Sequence, residues 1–283
     1  MSHARARLGS ERATVPVRAG RDGMHAMAEG GRGFVSAVAA MLVATACGGA
    51  AQLPPLPPAP HPAVRGPGIT AIQRAGVLRV AADLSFPPMA YREAGVPRGF
   101  EVELAGLLAH ALGVRLDVLD VPRAVIRAGF PPAADLILSS LSADQAPGLP
   151  SAPYYVSGRA ILWRAGAPVH APGELRGRRV AAAVGVGDAA AVAGTLVPFY
   201  LPEQALAAVA DGRAEAAVGD RAVLLWYAHT HSGLGVTADA SPGTPLVAVA
   251  RADAPDLAAF VSAAIRELDR SGGLAQLRRR WRL

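Results

Sequence analysis

Short apolar runs alternate with helical patterns from residue 69 to the end of the chain, and this alternation constrains the fold more than any other feature. The runs at 77 to 83 and 134 to 140 have the length and apolar character of strands, and residues 115 to 121 alternate like a strand. The stretch GFEVELAGLLAHALG, which stops at Gly113, places its large apolar side chains on one helical face: Phe100, Leu104, Leu107, Leu108, Ala111 and Leu112. Strands that alternate with helices predict parallel α/β sheets.

A second set of elements follows YYVSGRAILWRAG, which is itself predicted as a strand with a glycine turn. It contains strands in RRVAAAVG, AEAAVGD and TPLVAVAR, a helix bounded by Pro202 and Gly212, a helix in RAVLLWYAHTH and a long closing helix. RVAADLSFPP parallels RVAAAVGVGD, and ADLILSSLS parallels AEAAVGDRA. Open α/β sheets bind ligands beyond the carboxyl ends of their strands. The two halves therefore predict a cleft lined by Asp83 to Phe86, Ser139 to Ser142, Gly185 to Asp188, and Asp220.

The single cysteine, Cys47, directly follows an apolar run. One thiol makes no internal disulfide, and a cysteine without neighbouring His or Cys is no metal site. The run from Phe34 to Ala46 has the length of the apolar core of a secretory signal and is shorter than the roughly 20 residues of a spanning helix. The sequence ATAC resembles the lipobox of bacterial lipoproteins, although Ala44 stands where a larger aliphatic residue is usual. The resemblance implies a signal peptide over residues 1 to 46 and a lipid on Cys47.

Two other interpretations of this N-terminal region remain open: a buried helix with an incidental cysteine, and an ordinary cleaved signal. The segment before the apolar core is long, so Met24 or Met27 is an alternative start. Residues 47 to 68 include AQLPPLPPAPHPAVRGPG, whose prolines favour an extended polyproline conformation. We interpret this stretch as a tether that holds a folded domain off a membrane.

The formal net charge is +6, but its location argues against nucleic-acid binding. Six Arg and three acids precede Cys47, and four of the remaining Arg lie in the final RRRWRL. No basic stripe is interleaved with aromatic residues, as nucleic-acid binding would require.

The order of segments from Gly68 to Leu283 resembles that of the periplasmic solute-binding proteins for polar amino acids, family 3 of the bacterial extracellular solute-binding proteins. LRVAADLSFPPMAY, GFEVELAGLLAHALGV, APYYVSGRAIL, LRGRRVAAAVG, EQALAAVADGRAEAAVGD and GGLAQLRRRW carry the resemblance. It implies an α/β fold of periplasmic binding protein type II, with two Rossmann-like lobes joined by hinge strands near 159 to 165 and 244 to 251. Lobe 1 would contain 69 to 160 plus 248 to 283, and lobe 2 would contain 161 to 247. Hinge closure would trap the ligand.

The resemblance also implies ligand-binding residues. Asp83 and Phe86 match first-loop positions that contact or stack on ligand, and Asp220 stands where the family has its amine-binding carboxylate. The remaining implied positions lie in the serine loop and in VGVGD: Ser140, Ser142, Gly187 and Asp188.

One departure from the family pattern concerns the ligand's carboxylate. The family has S-x-T/S-x-x-x-R, whose Arg forks onto the α-carboxylate of the ligand. Here no Arg or Lys occurs from Gly129 to Gly158, and the usual Thr is replaced by Val186 or Gly187. A cationic or amine-bearing ligand is therefore expected. Amino acids stay open because Arg123, after the second predicted strand, offers a cation from a new direction, and a degenerate site that binds nothing tightly stays open as well.

Other motifs have weaker functional interpretations. GVGDAA fits the dinucleotide pattern, with Glu203 as the ribose acid, but an exported lobe has poor access to NAD. His229 and His231 lie two residues apart and face different sides of a helix, so we expect surface residues rather than a metal site.

Enzymes are the remaining alternative, because the same fold serves cyclohexadienyl dehydratases, in which Asp83 or Asp220 would be an acid or base. The chain contains neither G-x-S-x-G nor H-E-x-x-H. We therefore expect binding without catalysis or cofactor, by an exported, lipid-anchored monomer. Its partners would be a small solute and an ABC permease, and a ligand-sensing role is the second alternative.

Overall fold

The computed structural model describes residues 55–183, 194–199, 202–239 and 242–283. The α-helices in these ranges are α1 (Pro67–Ala75), α2 (Phe100–Leu112), α3 (Arg123–Ala128), α4 (Pro202–Ala210), α5 (Arg221–Thr230), α6 (Pro255–Arg270) and α7 (Gly273–Trp281). The strands are β1 (Val77–Ala82), β2 (Ser85–Phe86), β3 (Ala90–Glu93), β4 (Val96–Arg98), β5 (Arg115–Asp120), β6 (Leu136–Ser142), β7 (Leu149–Ser157), β8 (Arg159–Arg164), β9 (Arg179–Ala183), β10 (Thr195–Phe199), β11 (Ala216–Asp220), β12 (Leu234–Ala238) and β13 (Thr244–Ala250).

The first sheet has the strand order β5-β1-β6-β13-β7. β1 pairs in parallel with β5 and β6, whereas β13 pairs antiparallel with β6 and β7. Helices α1, α2, α6 and α7 supply the main apolar cluster on one face, and Ile126 of α3 belongs to a cluster on the other. Because both faces are covered, every residue of β6 is buried.

The second sheet has the order β10-β9-β11-β8-β12. β9 pairs in parallel with β10 and β11, and β8 pairs antiparallel with β11 and β12. Helices α4 and α5 pack on one face of this sheet, while Val169 and Leu175 pack on the other. Each sheet thus has parallel strands joined through helices, as the alternation of the sequence predicts.

The chain passes between the two sheets at two adjacent places. β7 of the first sheet leads into β8 of the second through Gly158, and the chain returns after β12 of the second sheet to β13 of the first. The passages lie side by side, because Thr244 pairs with Ser157 and the Asp239 N–H donates to the Arg159 carbonyl at 2.9 Å. The hinge strands expected near 159 to 165 and 244 to 251 correspond to β8 and β13. β8 lies wholly in the second sheet and β13 wholly in the first, so the crossings lie before each of these strands and not within them.

A small antiparallel sheet, β2-β3-β4, lies between β1 and α2 in the sequence. It contains Phe86 and Tyr91, and Gly99 follows its last strand directly and precedes α2. Gly99 has a φ of 128°, and a Cβ there would lie 2.3 Å from the Met89 carbonyl oxygen. Only glycine fits this position without strain, which fixes where α2 begins beside the site.

The proline-rich segment is described from residue 55 onward, and this part packs on the first sheet's helices. The Gln276 side chain donates to the Pro55 carbonyl at 2.7 Å, and the His61 N–H donates to both carboxylate oxygens of Glu267 at 3.1 Å. Pro57 and Pro60 are buried. Part of the predicted tether is therefore docked on α6 and α7. Helix α1 begins at Pro67, inside the range of residues 47 to 68 that was predicted as tether.

The predicted signal peptide and Cys47 lie outside the described residues, as do Gly187 and Asp188. Among the helices that the structure describes, none combines the length and apolar character that crossing a membrane requires.

Candidate ligand-binding site

Asp83 directly follows β1 and lies beside the serines of β6, as expected for neighbouring parallel strands. Its backbone N–H donates to Ser139 Oγ at 3.2 Å. One carboxylate oxygen accepts from Ser85 N and Ser85 Oγ at 3.1 and 2.6 Å, and the other accepts from Arg123 N at 2.8 Å. Asp83 therefore joins β1 to the start of α3 and holds Arg123 at the edge of the first sheet.

The Arg123 side chain lies on the ring of Phe86, with its guanidinium carbon 5.4 Å from the ring centroid. One terminal nitrogen, Nη2, donates to the carbonyl oxygen of Ser140. Among the described residues this guanidinium makes no other hydrogen bond and no ion pair, and Arg123 is half-buried. A cation over an aromatic face is stabilised by the ring, and four of the five guanidinium N–H groups stay available for an anion.

Ser140 is held in an unusual backbone conformation. Its φ is 50°, in the left-handed region that non-glycine residues seldom occupy. Its N–H and its hydroxyl both donate to Glu101 Oε1, at 2.7 and 2.8 Å, and Tyr154 Oη donates to the same oxygen. The Ser140 hydroxyl, predicted to bind ligand, is thus engaged with Glu101, and Ser142, the other predicted serine, is buried.

Glu101 was missed in the sequence interpretation. It is 1% exposed and lies in the first turn of α2. Burial raises the pKa of Glu101 above its ordinary value, while the hydrogen bonds from Tyr154 and Ser140 and the charge of Arg123 oppose that rise. The signal was present in the pattern, because Glu101 shares a helical face with Ala105, Leu108 and Leu112, all of which are buried.

Asp220 ends β11 and caps α5. One carboxylate oxygen accepts from the N–H groups of Ala222 and Val223, at 2.8 and 3.4 Å, and the other accepts from Ser157 Oγ. Since Ser157 belongs to the first sheet, this hydrogen bond connects the two sheets. Asp220 is half-buried and has no ion pair with any cation in the described ranges.

Phe86 brings the two sides of the site together. Its ring contacts the main apolar cluster of the first sheet and also the cluster of the second sheet, to which Val223 and Leu224 of α5 belong. The ring that supports Arg123 therefore packs against the apolar core of each of the two sheets.

Tyr155 and Arg221 are further polar residues near Asp220 that the sequence interpretation did not select. Tyr155 Oη and Arg221 Nε are buried, and neither has a hydrogen-bond partner within the described parts of the chain. Burial raises the pKa of Tyr155, the negative charge of Asp220 adds to that rise, and Arg221 opposes it. Tyr155 and Arg221 thus add a hydroxyl group and a cation close to the Asp220 carboxylate.

The two histidines singled out in the sequence lie apart from these residues. His229 Nδ1 is 3.0 Å from Arg282 Nη1, and the His231 ring stacks on Tyr227 with centroids 3.9 Å apart. The described residues contain no group of three or more side chains placed to hold a metal ion.

The family model for bacterial extracellular solute-binding proteins, family 3, matches residues 78–283. The chain belongs to this family. No curated protein is recognisably similar to it in sequence.

Solved structures of amino-acid-binding proteins share the fold of this family 3 protein. A mutant of the arginine-binding protein ArgBP from T. maritima has 25% identity and a TM-score of 0.63, and covers 76% of this chain and 99% of its own. A substrate-binding protein of an amino acid ABC transporter from Streptococcus pneumoniae, bound to L-arginine, has 22% identity and a TM-score of 0.63, with coverages of 77% and 99%. These likenesses confirm the predicted α/β fold of periplasmic binding protein type II.

A third similar structure is that of an ancestral amino acid-binding protein described as a precursor of cyclohexadienyl dehydratase. It has 22% identity and a TM-score of 0.65, and covers 76% of this chain and 99% of its own. Most of the similar structures are of amino-acid-binding proteins, although this third one shows that the fold is also connected with catalysis.

Proposed function

We propose that this family 3 protein is the extracytoplasmic substrate-binding subunit of an ABC importer. It captures a small polar amine-bearing solute or an amino acid in the cleft between its lobes, and a permease in the membrane receives the solute. The carboxylate of Asp220 carries the proposal. It lies at the carboxyl end of a central strand, is half-buried, and has no cationic partner among the described residues.

An ammonium group is the natural partner of such a carboxylate. Charge-assisted hydrogen bonds are stronger than neutral ones, so a half-buried carboxylate is stabilised more by an ammonium group than by a neutral donor. Asp220 already accepts from two backbone N–H groups and a serine hydroxyl, which fix its direction. Asp83 supplies a second carboxylate on the opposite sheet, so an amine can be recognised from both lobes.

Hinge closure is the proposed means of capture. Both passages between the sheets lie side by side, so small changes in their backbone angles rotate one sheet against the other. A solute that contacts both Asp83 and Asp220 stabilises the closed form through those added contacts. X-ray scattering with a bound solute should therefore show compaction, and an unchanged radius of gyration would count against closure.

Anchoring at Cys47 is part of the same proposal and is tested separately. Metabolic labelling with a palmitate analogue should mark the wild-type protein and leave Cys47→Ser unmarked. Equal labelling of both proteins would contradict the proposed lipid anchor and would not bear on the proposed binding function. The protein is proposed to act as a monomer, without cofactor or nucleic acid.

Catalysis is the second candidate, because one similar structure is described as a precursor of cyclohexadienyl dehydratase. A dehydratase needs a proton donor that reaches its substrate. The carboxyl group in this region whose pKa is raised is that of Glu101, which is 1% exposed and bonded to Ser140 and Tyr154. That placement favours a binding role over an acid role.

A thermal-shift screen of amino acids, polyamines and quaternary amines tests the proposed binding function. We expect amine-bearing solutes to raise the unfolding temperature and amine-free carboxylic acids of the same size to leave it unchanged. Stabilisation by the carboxylic acids alone would contradict the proposal.

A further inference from the structure

Arg123 brings to the proposed cleft a guanidinium that makes no ion pair within the described ranges, beside the carboxylate of Asp83, which accepts from the Arg123 backbone N–H. Its carbon lies 5.4 Å from the Phe86 centroid, and Phe86 contacts the apolar clusters of both sheets. A half-buried charge without a counter-ion is unfavourable, and a ligand that brings an anion relieves that cost. The segment from β6 to β7, where the family pattern has its carboxylate-binding Arg, contains no Arg or Lys.

The direction of the Arg123 side chain is set by the Ser140 carbonyl, which accepts from Nη2. The backbone angles of a residue set the direction of its carbonyl group. The φ of 50° at Ser140 therefore contributes to turning the Ser140 carbonyl oxygen toward Arg123. In the ordinary β conformation of a strand, which continues through Ser142, this carbonyl would point elsewhere.

Glu101 is the group that holds Ser140 in this conformation. Its Oε1 accepts from both the N–H and the hydroxyl of Ser140, so it fixes backbone and side chain together. A left-handed non-glycine residue costs about 1 kcal/mol or more and persists only where its surroundings determine it. Tyr154, bonded to the same oxygen, fixes the carboxylate in turn.

We infer that Arg123 is the anchor for an anionic group of the captured solute, and that Glu101 is the positioning residue that holds this anchor through the left-handed Ser140. The inference rests on the proposed binding function and narrows its substrate class. The solute carries an amine for Asp220 and an anion, such as a carboxylate, for Arg123. Glu101 itself does not touch the solute.

The test measures how strongly the protein prefers a carboxylate-bearing ligand over the amine that lacks that carboxylate. Titration calorimetry of the full protein compares each of the common L-amino acids with its decarboxylated amine, for example L-arginine with agmatine and L-lysine with cadaverine. The wild type should bind the best amino acid about 10- to 100-fold more tightly than its amine, the range for a charge-assisted hydrogen-bonded pair. Arg123→Gln should abolish that preference and leave the affinity for the amine unchanged.

Glu101 is tested by rescue. Glu101→Ala should lose most of the carboxylate preference, because nothing then holds Ser140 at positive φ. Adding Ser140→Gly should restore the preference, because glycine adopts that conformation without the carboxylate. Glu101→Gln, which keeps an acceptor oxygen, serves if Glu101→Ala does not fold, and should lose less of the preference than Arg123→Gln.

A purely structural role for Glu101 predicts a different result. Glu101→Ala would then weaken both ligand classes equally, and Ser140→Gly would restore neither. Glu103→Gln is the matched control, because Glu103 lies on the same helix and bonds Arg280 and Trp281 instead. It should leave the preference unchanged.

The outcomes separate this inference from the function on which it rests. Equal affinity of the wild type for amino acids and their amines, or tighter binding of the amines, overturns the inference and leaves amine capture intact. Failure to bind either class contradicts the proposed function and the inference with it.

Discussion

Trp226 of α5 and Tyr91 of β3 lie with ring centroids 5.7 Å apart, so the helix that begins at Asp220 packs against the small sheet beside the first lobe. Trp281 of α7 completes the group, 6.1 Å from Tyr91 and 6.3 Å from Trp226. Helix α5 therefore contacts both lobes: Val223 and Leu224 belong to the core of the second, and Trp226 packs on the core of the first.

Removing the Trp226 ring should weaken this contact measurably. We expect Trp226→Ala to lower the free energy of unfolding by about 2 kcal/mol, less than the roughly 3–5 kcal/mol of a fully buried aromatic because Trp226 is half-buried. Urea unfolding measures the change. Leu225→Ala is the control, since Leu225 is half-buried and belongs to none of the apolar clusters formed by the described residues, and its loss should cost under about 1 kcal/mol. Equal losses in the two variants would contradict the contact.

The Arg159–Asp239 pair should stabilise the crossing between the lobes. Arg159 Nε lies 2.6 Å from Asp239 Oδ2, and the Asp239 side chain is 9% exposed. Removing one partner of a largely buried ion pair is destabilising, so Asp239→Asn should lower the free energy of unfolding by about 2–3 kcal/mol. Asp211→Asn, in the exposed Arg213–Asp211 pair, should change it by under about 1 kcal/mol.

The docked part of the proline-rich segment should contribute to stability. A chain that begins at residue 66 loses the contacts of Pro57 and Pro60 and the hydrogen bonds to Glu267 and Gln276. We expect its free energy of unfolding to fall by about 1–3 kcal/mol, from the apolar area exposed. An unchanged free energy of unfolding in urea would contradict a stabilising role for this segment.

The raised pKa of Glu101 has a consequence for stability against pH. Because its pKa in the folded state lies above the ordinary value of 4.5, the folded protein binds this proton more tightly than the unfolded chain does. Its contribution is therefore greatest below pH 4.5 and is lost as the pH rises through the folded-state pKa. The stability of wild type relative to Glu101→Gln should fall between pH 4 and pH 7. A relative stability that rises over this range would contradict the assignment.

Much of the fold follows from local pattern. The helix predicted to stop at Gly113 is α2, with Gly113 at a φ of 72° as its C-cap. The strand AEAAVGD is β11, and the helix bounded by Pro202 and Gly212 is α4. In each case the apolar period and the terminating residue lie within a dozen positions of each other, so the signal is local.

Elements that depend on distant partners were missed or shortened. β6 was predicted to end at Ser140 but continues through Ser142, because Leu246 of β13 pairs with Ser142. β10 was not predicted from the sequence. It contains Pro198 and lies at the edge of its sheet, where proline is tolerated.

The residues of the candidate site likewise divide into those that local sequence patterns locate and those that depend on distant partners. Asp83, Phe86 and Asp220 stand at the end of a strand or directly after one, and Arg123 begins the helix that follows β5, so the alternation of elements locates all four. Glu101 was missed because an acid in the first turn of a helix is ordinarily a favourable partner of the helix dipole, and its partner Ser140 lies on another element. No local pattern reports that pairing or the φ of Ser140.

The most direct test of the account is the affinity of Asp220→Asn for an amine-bearing solute that stabilises the wild type, measured by titration calorimetry. Asparagine keeps the cap of α5, so the fold should persist while the charge is lost. With Asp211→Asn as a matched control on the surface of the same lobe, we predict that Asp220→Asn weakens binding by about 10- to 100-fold and that the control binds like the wild type. Undiminished binding by a folded Asp220→Asn would contradict capture of an amine at this carboxylate.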